Sequence, residues 1–230
     1  MQDALNAIYE AHLHTREPDR SDLYDRLRGP DLVWVAQAYI AATPRVLFVG
    51  QQPDGCDYSY AEFLSDWTVV RAVDGYRRFN FGQHYDASPW WTFYNQLRRE
   101  LFGTKCERGV VGWINLLKFV TPDRKSVLGL PFEDAALELQ GDLFIRELSI
   151  LDPDVCVFAT GPCYDWIIER YYPGVTFEDC GLGSRTLAAV KHDRLPVLSF
   201  RTYHPKALRL QRKWDAVFQQ LCAHIKGDAL

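Results

Sequence analysis

The sequence predicts an α/β fold built on a mainly parallel sheet. Three observations lead there. Short apolar runs recur along the chain: Arg45-Val46-Leu47-Phe48-Val49-Gly50, Val110-Val111-Gly112-Trp113-Ile114-Asn115, and Asp154-Val155-Cys156-Val157-Phe158-Ala159-Thr160. They are continuous rather than alternating, as in strands buried on both faces. The stretches between them carry apolar residues at helical spacing, and strands alternating with helices give parallel sheets. No internal repeat, low-complexity tract or Gly/Ser linker interrupts the chain. A single domain over 1–230 is expected, with a helical part at 1–44, a core at 45–210 and a closing helix at 206–226.

Each element has a local reason. Leu5, Ile8, Tyr9 and Leu13 share a helical face within residues 2–14. Ser21 or Asp22 can cap a short helix that ends near Gly29-Pro30. Residues 32–42 are apolar and read as a helix stopped before Pro44. The first strand follows at 45–50. Residues 51–87 show no sustained period, which in a compact domain points to a functional stretch or a misread one. Ser88 is an N-cap with Pro89 behind it, opening a helix through Phe102. A strand lies within 109–119, a long helix over 132–151, and a third strand over 154–160. Gly161-Pro162 opens a helix to about Tyr172. Strands are expected at 186–191 and 195–201, and the last helix over 206–226.

The 230 residues are 47% hydrophobic and 24% charged, enough to bury a core without disulfides. Six cysteines form no CxxC pair and match no zinc or iron–sulfur spacing. No metal and no cofactor are expected. The first residues have early acids and no continuous apolar segment, and no run approaches the roughly 20 residues of a membrane span. A protein of the reducing cytoplasm, away from membranes and monomeric, is the expectation.

A net charge of −4 argues against nucleic acid as a partner. The distribution is uneven, however. Residues 71–125 carry ten basic and five acidic groups, and residues 201–230 carry six and two. Two basic blocks thus lie inside an acidic chain. Solvated surface explains such blocks unless a chemical motif falls within them.

In parallel α/β sheets, sites form beyond the carboxyl ends of strands. Three segments qualify: Gly50-Gln51-Gln52-Pro53-Asp54-Gly55, Asn115 with its neighbours, and Tyr203-His204-Pro205-Lys206-Ala207-Leu208. In order and placement they resemble the motifs of the uracil-DNA glycosylase superfamily: a first strand ending in G-Q-D-P-Y or G-x-N-P-G, a later strand with a base-reading Asn, and a near-terminal H-P-S followed by a wedge Leu. The likeness spans about residues 45 to 210. It implies a three-layer αβα domain with a central, mostly parallel four-stranded sheet. It also implies DNA as partner, with a nucleotide flipped out of the duplex.

The resemblance assigns roles. Breaking a base–sugar bond puts negative charge on the departing base, and a donor aimed at it lowers the barrier. His204 matches the residue in that role, and a neutral imidazole can serve if its other nitrogen is fixed. The first motif positions the water, with Gln52 and Asp54 as its catalytic residues, while its Gly50, Gln51 and Pro53 bind the base. Asn115 reads the base edge. Phe79, or next Phe81, in Tyr76-Arg77-Arg78-Phe79-Asn80-Phe81-Gly82 stacks on the base. Leu208 matches the wedge that fills the duplex. Arg201, Lys206, Arg209, Arg212 and Lys213, with no acid among 201–213, suit phosphates.

Two departures matter. Gln52 stands where the family has Asp or Asn, and its amide oxygen can orient water but cannot take its proton. Asp54 stands where the family has a methyl-excluding Tyr, or a Gly, so a base substituted at C5 should be admitted. Asn115 by itself suits either uracil or cytosine, depending on how its amide is turned. The expected activity is a monofunctional DNA glycosylase acting on a modified pyrimidine, possible targets including hypermodified cytosine, in base repair or defence against phage. Two alternatives stay open: an ordinary glycosylase for uracil or another deaminated base, and a catalytically silent DNA-binding protein on the same fold. No G-x-S-x-G elbow, Walker loop or G-x-G-x-x-G supports a different α/β enzyme.

Overall fold

A six-stranded mixed sheet forms the centre of the α/β fold in the computed structural model, which describes residues 1–13, 22–123, 128, 129 and 131–227. The strands are β1 (Val46–Gly50), β2 (Val111–Asn115), β3 (Val155–Phe158), β4 (Thr176–Asp179), β5 (Leu187–Lys191) and β6 (Leu198–Thr202), in the order β2-β1-β3-β6-β5-β4. The sequence expectation of four mostly parallel strands is corrected by this count. β1, β3 and β6 run parallel, with Val46 beside Val155 and Val155 beside Leu198. β6, β5 and β4 run antiparallel. Link lengths explain the change: residues 180–186 join β4 to β5 and 192–197 join β5 to β6, too few for the crossover that parallel strands need. Polar Thr176–Asp179 lies mostly exposed and gave no apolar signal.

The chain groups into two compact units. The sheet unit comprises residues 35–51, 80–114 and 153 onward. Every residue of β1 and β3 is buried, which their continuous Val/Leu/Phe runs require. Phe48 packs on Trp90, with ring centroids 4.6 Å apart. Trp90 belongs to the helix Pro89–Phe102, whose start is fixed by the Ser88 hydroxyl accepting from the Trp91 N–H at 3.3 Å. Ahead of it, Asn80 and Phe81 both take positive φ, and Gly82 follows at φ +66°. A Cβ on Gly82 would meet the Trp91 ring at 2.3 Å, so only glycine closes this turn.

The helical unit comprises residues 1–34, 52–79 and 115–152. Its helices are Gln2–Leu13, Asp22–Arg26, Tyr60–Asp66, Val69–Phe79, Phe132–Gln140 and Leu143–Leu151. Residues 27–31 form its organising strip. Tyr60 N–H donates to the Leu27 carbonyl at 2.8 Å and Gly29 N–H to Tyr58 at 3.1 Å. On the other edge Arg28 and Val120 exchange backbone hydrogen bonds, and Asp31 N–H donates to the Lys118 carbonyl at 2.9 Å. The strip therefore ties the start of the 52–79 stretch to the residues just after β2.

Several expected helices are shorter or broken. Within 32–42 only Gln37–Ile40 is helical. The 132–151 helix breaks at Gly141, whose φ of +52° no regular helix allows. The 206–226 helix is two, Pro205–Leu210 and Trp214–Lys226, parted at Arg212 with φ +56°. The unpatterned 51–87 stretch holds Tyr60–Asp66 and Val69–Phe79. The first carries a Ser59/Glu62 capping box, and the second buries Val69, Ala72, Val73 and Tyr76. The intervening Trp67-Thr68 resets the helical phase and hid both. Ser21, one proposed cap, lies outside the described residues.

Candidate functional site

Two groups of polar side chains hold the candidate residues, one in each unit. In the sheet unit, β1, β3 and β6 end side by side. Gly50 is the buried last residue of β1, and Gln51 after it donates from Nε2 to the Thr160 carbonyl at 2.7 Å. Past β3, Gly161 N–H donates to the Thr202 carbonyl at 2.9 Å. Past β6 comes His204, the N-cap of the helix Pro205–Leu210. Its Nδ1 accepts from the Lys206 backbone N–H at 3.2 Å. A backbone N–H can only donate, so Nδ1 carries no hydrogen and Nε2 carries it. The ring also stacks on Trp90, with centroids 5.2 Å apart and planes 23° apart. Burial, and secondly the Lys206 charge, push the imidazole pKa down to about 4. His204 is thus a neutral ring with a fixed donor at Nε2. Beside it Trp90 Nε1 is buried without a hydrogen-bond partner among the described residues, and so is Thr160 Oγ1 near the end of β3.

In the helical unit, Asn115 closes β2 and is 2% exposed. Its Nδ2 donates to Asp31 at 2.9 Å. Burial raises the Asp31 pKa, opposed by the Lys118 ammonium and the Asn115 hydrogen bond. Lys118 and Glu147 are fully buried and pair at 2.5 Å. Tyr9 donates to the other Glu147 oxygen at 2.6 Å. The loop that begins at Gln52 leans on the same strip: Arg28 Nε donates to the Cys56 carbonyl at 2.6 Å and Tyr58 to the Pro30 carbonyl at 2.6 Å. In that loop Gln52 is half-buried, Pro53 buried and Asp54 exposed.

Three sequence assignments are corrected. Leu208 is 0% exposed, so it anchors its helix and offers no wedge. Leu210, two residues on, is 77% exposed between Arg209 and Arg212, which are both exposed. Arg201 is 2% exposed and clamps Asp165 through two hydrogen bonds of 2.9 and 3.0 Å, with a third to the Arg185 carbonyl. It is a structural cation closed to phosphate. Phe81 is 2% exposed and stacks on Tyr94, which makes it core and leaves Phe79, half-buried at the end of its helix, as the aromatic of that stretch. Lys213 is committed too, to Thr186 Oγ1 at 3.0 Å and to the face of Tyr203. Lys206 is exposed, and Arg209 lies over Trp214.

Sequence reading missed Asp31, Trp90, Thr160 and Leu210. Trp90 was within reach, since Ser88-Pro89 fixes the helix start and Trp90 follows it. Asp31 was not, because nothing in Gly29-Pro30-Asp31 ties it to a residue 84 positions away. Among the described residues no three His, Cys, Asp or Glu side chains gather as a metal-ion set, and no helix is long and apolar enough to cross a membrane. The chain matches no protein-family model, and no curated protein matches it in sequence.

Proposed function

We propose that this chain is a monofunctional DNA glycosylase of the uracil-DNA glycosylase type, acting on a modified pyrimidine, with hypermodified cytosine among the candidate bases, in base repair or defence against phage. The single observation that carries this reading is the state of His204. A base leaving as an anion needs a donor that is already oriented and does not itself release charge into the site. Locked by the Lys206 N–H and covered by Trp90, His204 offers Nε2–H in that form.

The reaction follows from this. The bond between the base nitrogen and C1′ breaks, and its electron pair leaves with the base. His204 Nε2–H stabilises the negative charge at the base O2. Water adds to the sugar cation at C1′ and gives up a proton, leaving an abasic sugar. Solvent accepts that proton, because an amide such as that of Gln52 cannot take it. A rate below that of a carboxylate-bearing site is expected. On the surface, Leu210 takes the wedge role between the cations Arg209 and Arg212. Asp54 stands exposed where the family has a methyl-excluding Tyr, which supports a base substituted at C5.

The test is excision of single bases from duplex oligonucleotides, revealed as alkali-labile sites. The panel carries uracil, thymine, 5-hydroxymethylcytosine and glucosylated 5-hydroxymethylcytosine. The wild type should cut at least one substituted base, and His204→Ala should lose about 10²–10³-fold in rate while holding DNA equally well. Excision confined to uracil would favour the ordinary deaminated-base enzyme. Duplex binding without any excision would leave a catalytically silent DNA-binding protein, the reading that Gln52 favours.

A further inference from the structure

Asp31 lies at the end of the strip 27–31 and is pinned there by its own backbone, through the hydrogen bond to the Lys118 carbonyl at 2.9 Å. Its carboxylate takes one hydrogen bond, from Asn115 Nδ2 at 2.9 Å. An ionised carboxylate can accept about four. The nearby cation, Lys118, is already paired with Glu147 at 2.5 Å, and Tyr9 occupies the second Glu147 oxygen. Among these five side chains two carboxylates therefore share one ammonium. A half-buried carboxylate with spare acceptor capacity and no cation of its own is suited to a ligand that brings N–H donors.

The same contact settles how Asn115 is turned. Rotating its amide by half a turn would set Oδ1 against the Asp31 oxygen, two acceptors face to face. Asn115 therefore presents one fixed edge beside an acceptor that cannot become a donor while ionised. Burial raises the Asp31 pKa, and the Lys118 charge and the Asn115 N–H work against that rise.

We propose that Asp31 acts with Asn115 as the base-selecting pair and favours a 4-aminopyrimidine, the cytosine type, over a 4-oxopyrimidine such as uracil or thymine. This rests on the glycosylase reading, in which Asn115 meets the base. An exocyclic amine gives Asp31 a hydrogen to accept. An O4 oxygen would face the carboxylate unpaired, and a site built around a hydrogen-bonding group rejects the analogue that lacks its partner. Asp31 is a specificity-determining residue in this scheme and takes no part in breaking the bond.

Equilibrium binding separates base reading from chemistry. The probes are A·T duplexes with one 2′-fluoroarabino nucleotide, which resists cleavage because fluorine destabilises the sugar cation. That nucleotide carries cytosine, 5-hydroxymethylcytosine, uracil or 5-hydroxymethyluracil, each opposite an abasic site so that pairing does not bias flipping. The full-length wild type should bind each amino base at least about tenfold tighter than its matched oxo base. Asp31→Asn, nearly the same shape, should bring the ratio below about threefold, with unmodified-duplex affinity unchanged. A wild type that binds both classes equally, or prefers the oxo bases, overturns the proposal whatever the variant does. So does an Asp31→Asn protein that keeps the full preference. Discrimination in binding with no excision from cleavable duplexes would end the glycosylase reading and leave this pair standing. Excision without discrimination would do the reverse.

Discussion

His204 is a neutral ring because Trp90 stacks on it and the Lys206 backbone N–H fixes its Nδ1. Its place after a strand and before a proline was visible in the sequence. Its protonation state was not, because that depends on Trp90, which precedes it by more than a hundred residues and covers the ring. Burial holds the folded-state pKa near 4, against about 6.5 for an unperturbed histidine. The unfolded chain then binds more protons than the folded one between those values. Folding stability should fall as pH drops from about 6.5 towards 4, by about 2 kcal/mol once partial solvent access is allowed for. A heteronuclear NMR titration of the imidazole nitrogens checks this. A midpoint near 4 with the hydrogen on Nε2 is expected in the wild type, and a climb towards 6.5 in Trp90→Ala. A wild-type midpoint at 6.5 would remove the neutral donor from the mechanism. Asn115 teaches the same lesson: its strand-end position was legible, but the orientation of its amide is set by Asp31 from another part of the chain.

Among the elements, the buried strands were the easiest to read and the short helices the hardest. A run such as Val46-Leu47-Phe48-Val49 has only one comfortable environment, between two layers, so β1, β2 and β3 lie where their sequences put them. Helix breaks depend on backbone angles at single positions such as Arg212 and Gly141, which apolar spacing does not encode. For the proposed function the helix Pro205–Leu210 matters most. A linear motif counts residues from His204, whereas a helix turns about 100° at each one, so one leucine of the pair goes inward and the other outward. Leu208 is sealed in the core and Leu210 stands out. Leu208→Ala should therefore cost about 2–4 kcal/mol of stability in chemical unfolding. Leu210→Ala should change stability by less than about 0.5 kcal/mol while weakening excision from duplex DNA more than from single strands. If Leu210→Ala left duplex and single-strand excision equally intact, this helix would not be the one that enters the base stack.

For the whole molecule, net charge is a poor guide to a nucleic-acid partner, because structure uses up many of the cations. Arg77 and Arg78 are held by Asp74, Arg108 by Asp86, Arg201 by Asp165 and Lys226 by Glu100. In the basic block at 71–125 three of the ten cations, Arg77, Arg78 and Arg108, are committed in this way, and of the five cations assigned to phosphate Arg201 is lost and Lys213 is engaged elsewhere. Lys206, Arg209 and Arg212 remain exposed around Leu210. Three phosphate contacts imply a slope of about −2.7 for log affinity against log salt, so affinity for a non-specific duplex should fall about 40-fold between roughly 50 and 200 mM salt. Replacing all three by Ala should bring the slope close to zero without altering thermal stability, since exposed side chains of this kind contribute little to folding. Fluorescence anisotropy on a labelled duplex across that range gives both slopes directly. A wild-type slope that the triple variant leaves unchanged would mean that phosphates are gripped elsewhere, and the helix Pro205–Leu210 would lose its role in meeting DNA.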